Sequence, residues 1–191
     1  MAKDLNDLNP KELGQLFPIE LSPKKYPWKK LFEKEMKELQ KILGKDIATR
    51  IVHFGSTAIP NIETKATVDI LLEIPKSKTT RQTVIHKMTA NGYNHMYNHP
   101  THMMFVKGYT PTGVEEISYH IHMGSSDEDQ LWDRIYFRDY LIENPHIAAK
   151  YSNLKKMLAI KHKYDREAYT EAKNSFVKKY TEIAKESTGT S

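Results

Sequence analysis

The run Phe54-Gly55-Ser56-Thr57 and, after an irregular stretch, Val68-Asp69-Ile70 are the residues of this chain whose order most suggests chemistry. An apolar segment runs into a Gly-Ser turn, and a second apolar segment carries one embedded carboxylate. Glycine lets a backbone approach a phosphate closely. The hydroxyls and N–H groups of Ser56 and Thr57 can bond phosphate oxygens. A carboxylate on a strand can hold a divalent ion that neutralises a transferring group. Gly-Ser is also an ordinary turn, and Asp69 could be an exposed or capped strand residue. Yet aspartate flanked by Val68 and Ile70 is disfavoured in a strand, and burying it unpaired is costly. That tips Asp69 toward function.

A second candidate is His120-Ile121-His122. On a strand, alternate side chains share a face, which puts the two imidazoles about 7 Å apart at the backbone. They could then meet one ion or one phosphate. With Asp69 on the adjacent strand, the trio would form a facial site with open positions. The histidines could equally donate to a substrate anion, act as a general base, or lie on a partly solvated sheet face. His95, His99 and His102, near Pro100, read as loop residues without a role.

These groups need strands to hold them. Ile47 to Phe54 and Thr67 to Ile74 read as strands, the second dense in β-branched and apolar residues. Met103 to Tyr109 and Val114 to Met123 give two more, joined at Pro111-Thr112-Gly113. Between them, Thr80 to Asn91 reads as a helix stopped by Gly92. Ahead of them, Trp28, Leu31, Phe32, Met36, Leu39, Ile42 and Leu43 recur at helical intervals and Gly44 supplies a stop. From Asp127 onward the pattern is helical. Asn144-Pro145 divides one helix from the next, since proline fits a first turn, and Ile147 to Tyr164 and Glu167 to Glu186 complete the set. The fold expected is α+β: a mixed sheet of about four strands flanked by helices, with a helical C-terminal third. Residues 1–27 read as an N-terminal arm with short helical turns, 28–186 as one domain, and 187–191 as a frayed tail.

The stretch from His53 to Pro60, with Lys65 and Val68-Asp69-Ile70-Leu71, resembles the signature of the GrpB family. So do His120-Ile121-His122-Met123, Phe137-Arg138-Asp139-Tyr140-Leu141, Pro145, Tyr151, Leu154-Lys155 and Leu158-Ala159. The resemblance covers Trp28 to about Phe176 and implies a minimal nucleotidyltransferase-like fold. It implies that Gly55, Ser56, Thr57, Lys65, Arg138 and Lys155 bind phosphate. Arginine could clamp it bidentately and lysine supply a point charge, although Arg138 could also pair with Asp133 or Asp139 along its helix. Tyr136, Tyr140 and Tyr169 read as packing.

An active nucleotidyltransferase usually carries two carboxylates two residues apart and a third on a neighbouring strand. Here Leu71 occupies the second place and histidines the third strand. Glu73 shares the face but lies about 13 Å from Asp69. One carboxylate with two imidazoles suits Mn²⁺, Zn²⁺ or another transition metal better than Mg²⁺. Asn61 stands where the family usually has glycine, and asparagine tolerates the positive φ of such a turn. The expectation is a nucleotidyltransferase-like protein that binds a nucleotide or phosphorylated small molecule. It would carry out metal-dependent transfer to a small acceptor, or else be a catalytically degenerate module that binds a nucleotide, metabolite or partner.

Composition bounds the rest. With 191 residues, 39% of them hydrophobic, the chain can form a core without staples, and it has no cysteine, which excludes disulfides and thiolate chemistry. The net charge of +5 suits phosphate-bearing ligands. Lysines interleave with acids from Lys29 to Lys45, which argues against duplex nucleic acid as partner. No apolar run approaches the ~20 residues of a membrane helix. These features lead to the expectation of a cytoplasmic protein.

Overall fold

The computed structural model describes residues 8–22 and 26–189. Its centre is a five-stranded mixed sheet. In chain order the strands are β1 (Arg50–Phe54), β2 (Thr67–Glu73), β3 (Asn94–His99), β4 (His102–Thr110) and β5 (Gly113–Gly124). Across the sheet they run β1-β2-β5-β4-β3, with β2 and β5 parallel and every other pair antiparallel. The helices are α1 (Pro10–Leu16), α2 (Trp28–Leu43), α3 (Lys78–Ala90), α4 (Asp129–Glu143), α5 (Pro145–Lys161) and α6 (Arg166–Ser187). The α+β class and the helical C-terminal third hold.

The sheet has one strand more than the pattern of apolar residues suggests. β3 reads Asn-His-Met-Tyr-Asn-His, with no β-branched residue to mark it, and it exists because β4 offers it a hydrogen-bonding edge. His95, His99 and His102, expected in a loop, therefore lie on strands. β1 begins at Arg50 rather than Ile47, because the N–H groups of Ile47 and Ala48 donate back to the Gly44 carbonyl in a turn.

Alternation splits the sheet into two unlike faces. On one, Val68, Ile70 and Leu72 of β2 are fully buried with Phe105, Ile121 and Met123 against Leu39 and Leu43 of α2 and Val84 and Met88 of α3. Each such side chain contributes roughly 1.5–3 kcal/mol by leaving water. The other face is read in rows across the strands. One row is Phe54, Asp69, His120 and Val106; the next is Val52, Leu71, His122 and Met104. Leu71 packs there with Phe54 and with Leu131 and Trp132 of α4.

Helices α4, α5 and α6 form a second core around Phe137, Leu141, Ile147 and Tyr151, with Phe176 and Tyr180 packed against it. Pro145 opens α5, as its fixed φ allows. The N-terminal arm is packed against these helices. Asn9 and Glu12 form a reciprocal capping box on α1, Phe17 and Ile19 are buried, and Ile19 joins Leu158 and Tyr169. Of the expected N-terminal arm, residues 1–7 and 23–25 lie outside the described residues; of the expected tail, 190–191 do. Among the described residues no helix is long and apolar enough to cross a membrane.

Candidate functional site

Strand alternation places Asp69, His120 and His122 on one face, and their ligand atoms all lie within 4.8 Å of one another. His120 Nδ1 stands 3.6 Å from Asp69 Oδ1. Each ring has its other nitrogen held. His120 Nε2 meets the Tyr109 hydroxyl at 2.9 Å, and His122 Nδ1 meets His102 Nε2 at 2.9 Å. Phe54 meets the His122 ring edge-on. Burial pushes both imidazoles well below their ordinary pKa, so they are neutral at pH 7.

Gly55 belongs to the same site. Its φ of 71° is left-handed, and a Cβ there would lie 2.9 Å from both Cβ and Cγ of Asp69. Only glycine lets the turn close over the carboxylate. Beyond it, Ser56–Ala58 makes one 3₁₀ turn whose own bonds start from the N–H groups of Ala58 and Ile59. Those of Ser56 and Thr57 are the ones a helical start leaves without an internal carbonyl. The Thr57 side chain has another duty: it is buried and bonds His53 Nε2 at 2.9 Å. Asn61 holds the turn at a φ of 59°.

Cations crowd around this one carboxylate. Burial pushes the Asp69 carboxyl up, while Lys65, Lys173, Arg134 and Lys155 pull it back down. Burial, aided by mutual repulsion, lowers Lys65 and Lys155 to about 7 and Lys173 to about 8. Arg166 adds to the positive field on Lys65 and His120. Lys155 is the most enclosed of these, at 2% exposure, and its Nζ donates to the Glu63 carbonyl while Ser152 Oγ accepts from the Glu63 N–H. In this way α5 grips the loop that carries Lys65.

Of the residues singled out from the sequence, Gly55, Asp69, His120 and His122 come together, with Lys65 and Lys155 close enough to act on Asp69. Arg138 is directed elsewhere: its Nη1 donates to the His53 carbonyl at 2.7 Å and its Nε to Asp139, so it ties α4 to β1. One turn earlier on α4, Arg134 acts on Asp69 instead. The sequence reading missed Arg134, Tyr109, Arg166, Lys173 and His102. Arg166, Tyr169 and Lys173 recur at i, i+3 and i+7, so one stripe of α6 serves the site. Tyr169 is packed, as expected, but burial and the Asp69 charge together push its phenol up to about 12.

The GrpB family profile, described as GrpB protein, matches residues 18–182. The chain belongs to the GrpB family. It is 34% identical over 154 residues to the glutamate-rich protein GrpB of Alkalihalophilus pseudofirmus, covering 78% of this chain and 86% of that one. To UPF0157 protein YqkA of Bacillus subtilis it is 32% identical over 160 residues, covering 83% of this chain but 45% of the relative. The chain thus spans less than half the length of that curated relative. The crystal structure of conserved protein GrpB from Enterococcus faecalis superposes with a TM-score of 0.74 at 27% identity, covering 86% of this chain and 96% of that one. The site described above lies inside the GrpB-matched residues.

Proposed function

We propose that this member of the GrpB family binds the phosphates of a nucleotide or other phosphorylated small molecule at the Asp69–His120 face of the sheet, beside helices α4–α6. The observation that carries the reading is the excess of cations over carboxylate: Lys65, Lys155, Lys173, Arg134 and Arg166 act around Asp69. Lysines lowered toward neutral pKa by burial, aided by neighbouring cations, gain protons when a polyanion enters, so binding and charging reinforce each other. The backbone of Gly55-Ser56-Thr57 offers N–H groups beside Asp69.

The donor set beside these cations fits a divalent transition metal. Asp69, His120 and His122 would hold it, with Tyr109 behind the His120 ring and His102 behind the His122 ring. Such an ion, when bound, would neutralise negative charge on a transferring phosphoryl group. Lys155 and Lys173 would orient the phosphate chain, and the Gly55 turn would keep Asp69 covered on one side. On this reading the protein is a nucleotidyltransferase-like enzyme acting on a small acceptor. A second reading, a binding module without chemistry, is favoured by Leu71: the second carboxylate's place is filled by a fully buried leucine.

Ligand-observed NMR with nucleoside triphosphates and inorganic triphosphate tests the binding. Lys155→Met and Lys173→Met should each weaken it about tenfold, and Gly55→Val should abolish it. Parent-like binding by all three variants would remove the phosphate reading. Pyrophosphate release from a nucleoside triphosphate with Mn²⁺ present would decide for the transferase. Tight binding without release, over a range of small acceptors, would decide for the module.

A further inference from the structure

Arg166 adds to the positive field of the site, and its guanidinium also engages Tyr109, which sits directly behind His120. We infer that Tyr109 and Arg166 are positioning residues that fix His120 as the tautomer protonated on Nδ1, so that the resting site turns an N–H toward Asp69. A metal could then be taken up through His120 only after that proton changes nitrogen.

The argument is one of donors and acceptors. The Tyr109 hydroxyl meets Arg166 Nη2 at 2.7 Å and His120 Nε2 at 2.9 Å. Guanidinium only donates, so the phenol oxygen accepts from Arg166. Among the described residues the phenol O–H meets no other acceptor, which leaves His120 Nε2 to receive it. A ring nitrogen that accepts carries no proton, and the neutral imidazole must then carry its proton on Nδ1. Nδ1 is the nitrogen that faces Asp69 Oδ1. The alternative has Nε2–H donating to a phenol oxygen already engaged by Arg166, with the O–H left unpaired in a part-buried place. That wastes a donor and is disfavoured.

The fold goes to some length to present this phenol. Alternation along β4 would put Tyr109 with Lys107, on the face away from the site. The irregularity between Lys107 and Tyr109, centred on Gly108 with φ of 84°, brings Tyr109 onto the His120 face. The Phe17 ring stacks on Tyr109 with centroids 4.3 Å apart, and the Phe17 carbonyl accepts from Arg166 Nη1 at 2.8 Å. Phe17 lies immediately before the GrpB-matched residues 18–182. The arm is thus a wall of this device, and it holds both the phenol and the guanidinium.

Metal loading follows from the tautomer. For Nδ1 to become a ligand, its proton leaves and Nε2 takes one up, with no net change on the ring. The Tyr109 O–H must then turn away from Nε2. This lock opposes loading through His120, whereas an ordinary orienting partner would assist it. The consequence for metal affinity rests on the reading of the trio as a metal site; the tautomer itself does not.

Long-range ¹H–¹⁵N correlation spectra of the full-length, metal-free protein with ¹⁵N-labelled histidine read the tautomer. The His120 signals are identified by their loss in His120→Gln. Nδ1–H is expected in the parent and Nε2–H in Tyr109→Phe. Arg166→Met, which keeps the phenol but frees its oxygen to accept, should show a mixture. An Nε2–H pattern in the parent overturns the inference, as does an unchanged pattern in correctly folded Tyr109→Phe; if that variant misfolds, an unchanged Arg166→Met does the same. Calorimetric titration with Zn²⁺ gives the second arm. Tyr109→Phe should bind about tenfold more tightly than the parent, and equal or weaker binding overturns the lock. If neither protein binds Zn²⁺, the metal reading fails and the spectra alone decide the tautomer.

Discussion

Two carboxylates in this protein are drawn into the interior on opposite faces of the same sheet, and they are treated differently. Glu35 of α2 is 3% exposed and fully partnered: Lys107 Nζ donates to both its oxygens, at 3.1 and 2.8 Å, and the Tyr93 hydroxyl donates to Oε1. Asp69 is a quarter exposed, and among the described residues its ion pair is the 3.6 Å approach of His120. Several cations act on it from a distance and Gly55 is closed over it. A satisfied buried carboxylate holds a structure in register. One left short of direct partners among surplus cations is poised for something else to arrive.

The largest effect that could break this comparison is on stability. Lys107→Met leaves the buried Glu35 with the Tyr93 hydroxyl but no counter-charge and should cost about 2–3 kcal/mol, less than for a wholly enclosed pair because Lys107 is a third exposed. Asp69→Asn should change stability by no more than about 1 kcal/mol. Urea unfolding of both variants checks this. A larger loss from Asp69→Asn than from Lys107→Met would make Asp69 the structural carboxylate and end the distinction.

The next effect sharpens the comparison through pH. Lys65 and Lys155 titrate near 7 and Lys173 near 8. Their positive charge is complete below that range and lost above it. Affinity for inorganic triphosphate should therefore fall by about tenfold or more between pH 6.5 and 9. Lys173→Met should flatten the upper part of that fall. Affinity independent of pH would mean that these lysines do not face the anion.

A further effect lies at the edge of the structural face. His53 stacks on Phe32 with centroids 4.9 Å apart, and burial, then the Arg138 charge, lowers its pKa to about 4. A histidine depressed on folding contributes stability that is present above its unfolded pKa of about 6.5 and is lost as pH falls toward 4. His53→Gln should remove on the order of 2 kcal/mol of the parent's stability difference between pH 7 and pH 4.5, as read by urea midpoints. An identical pH dependence in parent and variant would contradict it.

How much of this was legible in the sequence follows from where each residue's signal comes from. β2 and β5 announce themselves by β-branched and apolar runs, and period two then puts His120 and His122 on one face; that Asp69 shares it follows from the β2–β5 register, in which Asp69 lies opposite His120. The Gly55 turn was legible as a break, though not that it closes on Asp69. β3 was hidden because its residues are polar and only β4 makes it a strand. Tyr109 was hidden by the irregularity at Gly108, which overrides the alternation that placed the others. Arg134, Arg166 and Lys173 carry no local mark that separates them from the other basic residues. Their part depends on how α4 and α6 rotate against the sheet, and that is set by Leu131, Trp132, Phe137 and Phe176. The same rotation sends Arg138 to the His53 carbonyl, although a motif shared with relatives pointed to it.

The central claim is that Asp69, His120 and His122 form a divalent-metal site beside a phosphate site, and calorimetry on the metal-free protein tests it most directly. Titration with Mn²⁺, Zn²⁺ and Mg²⁺ should show that Zn²⁺ or Mn²⁺ binds and Mg²⁺ binds weakly, because one carboxylate and two imidazoles are a poor oxygen cage. Asp69→Ala and His122→Ala should each weaken the transition-metal binding at least tenfold or so. A parent that binds none of the three ions more tightly than these variants do would contradict the claim and leave a metal-free anion-binding fold.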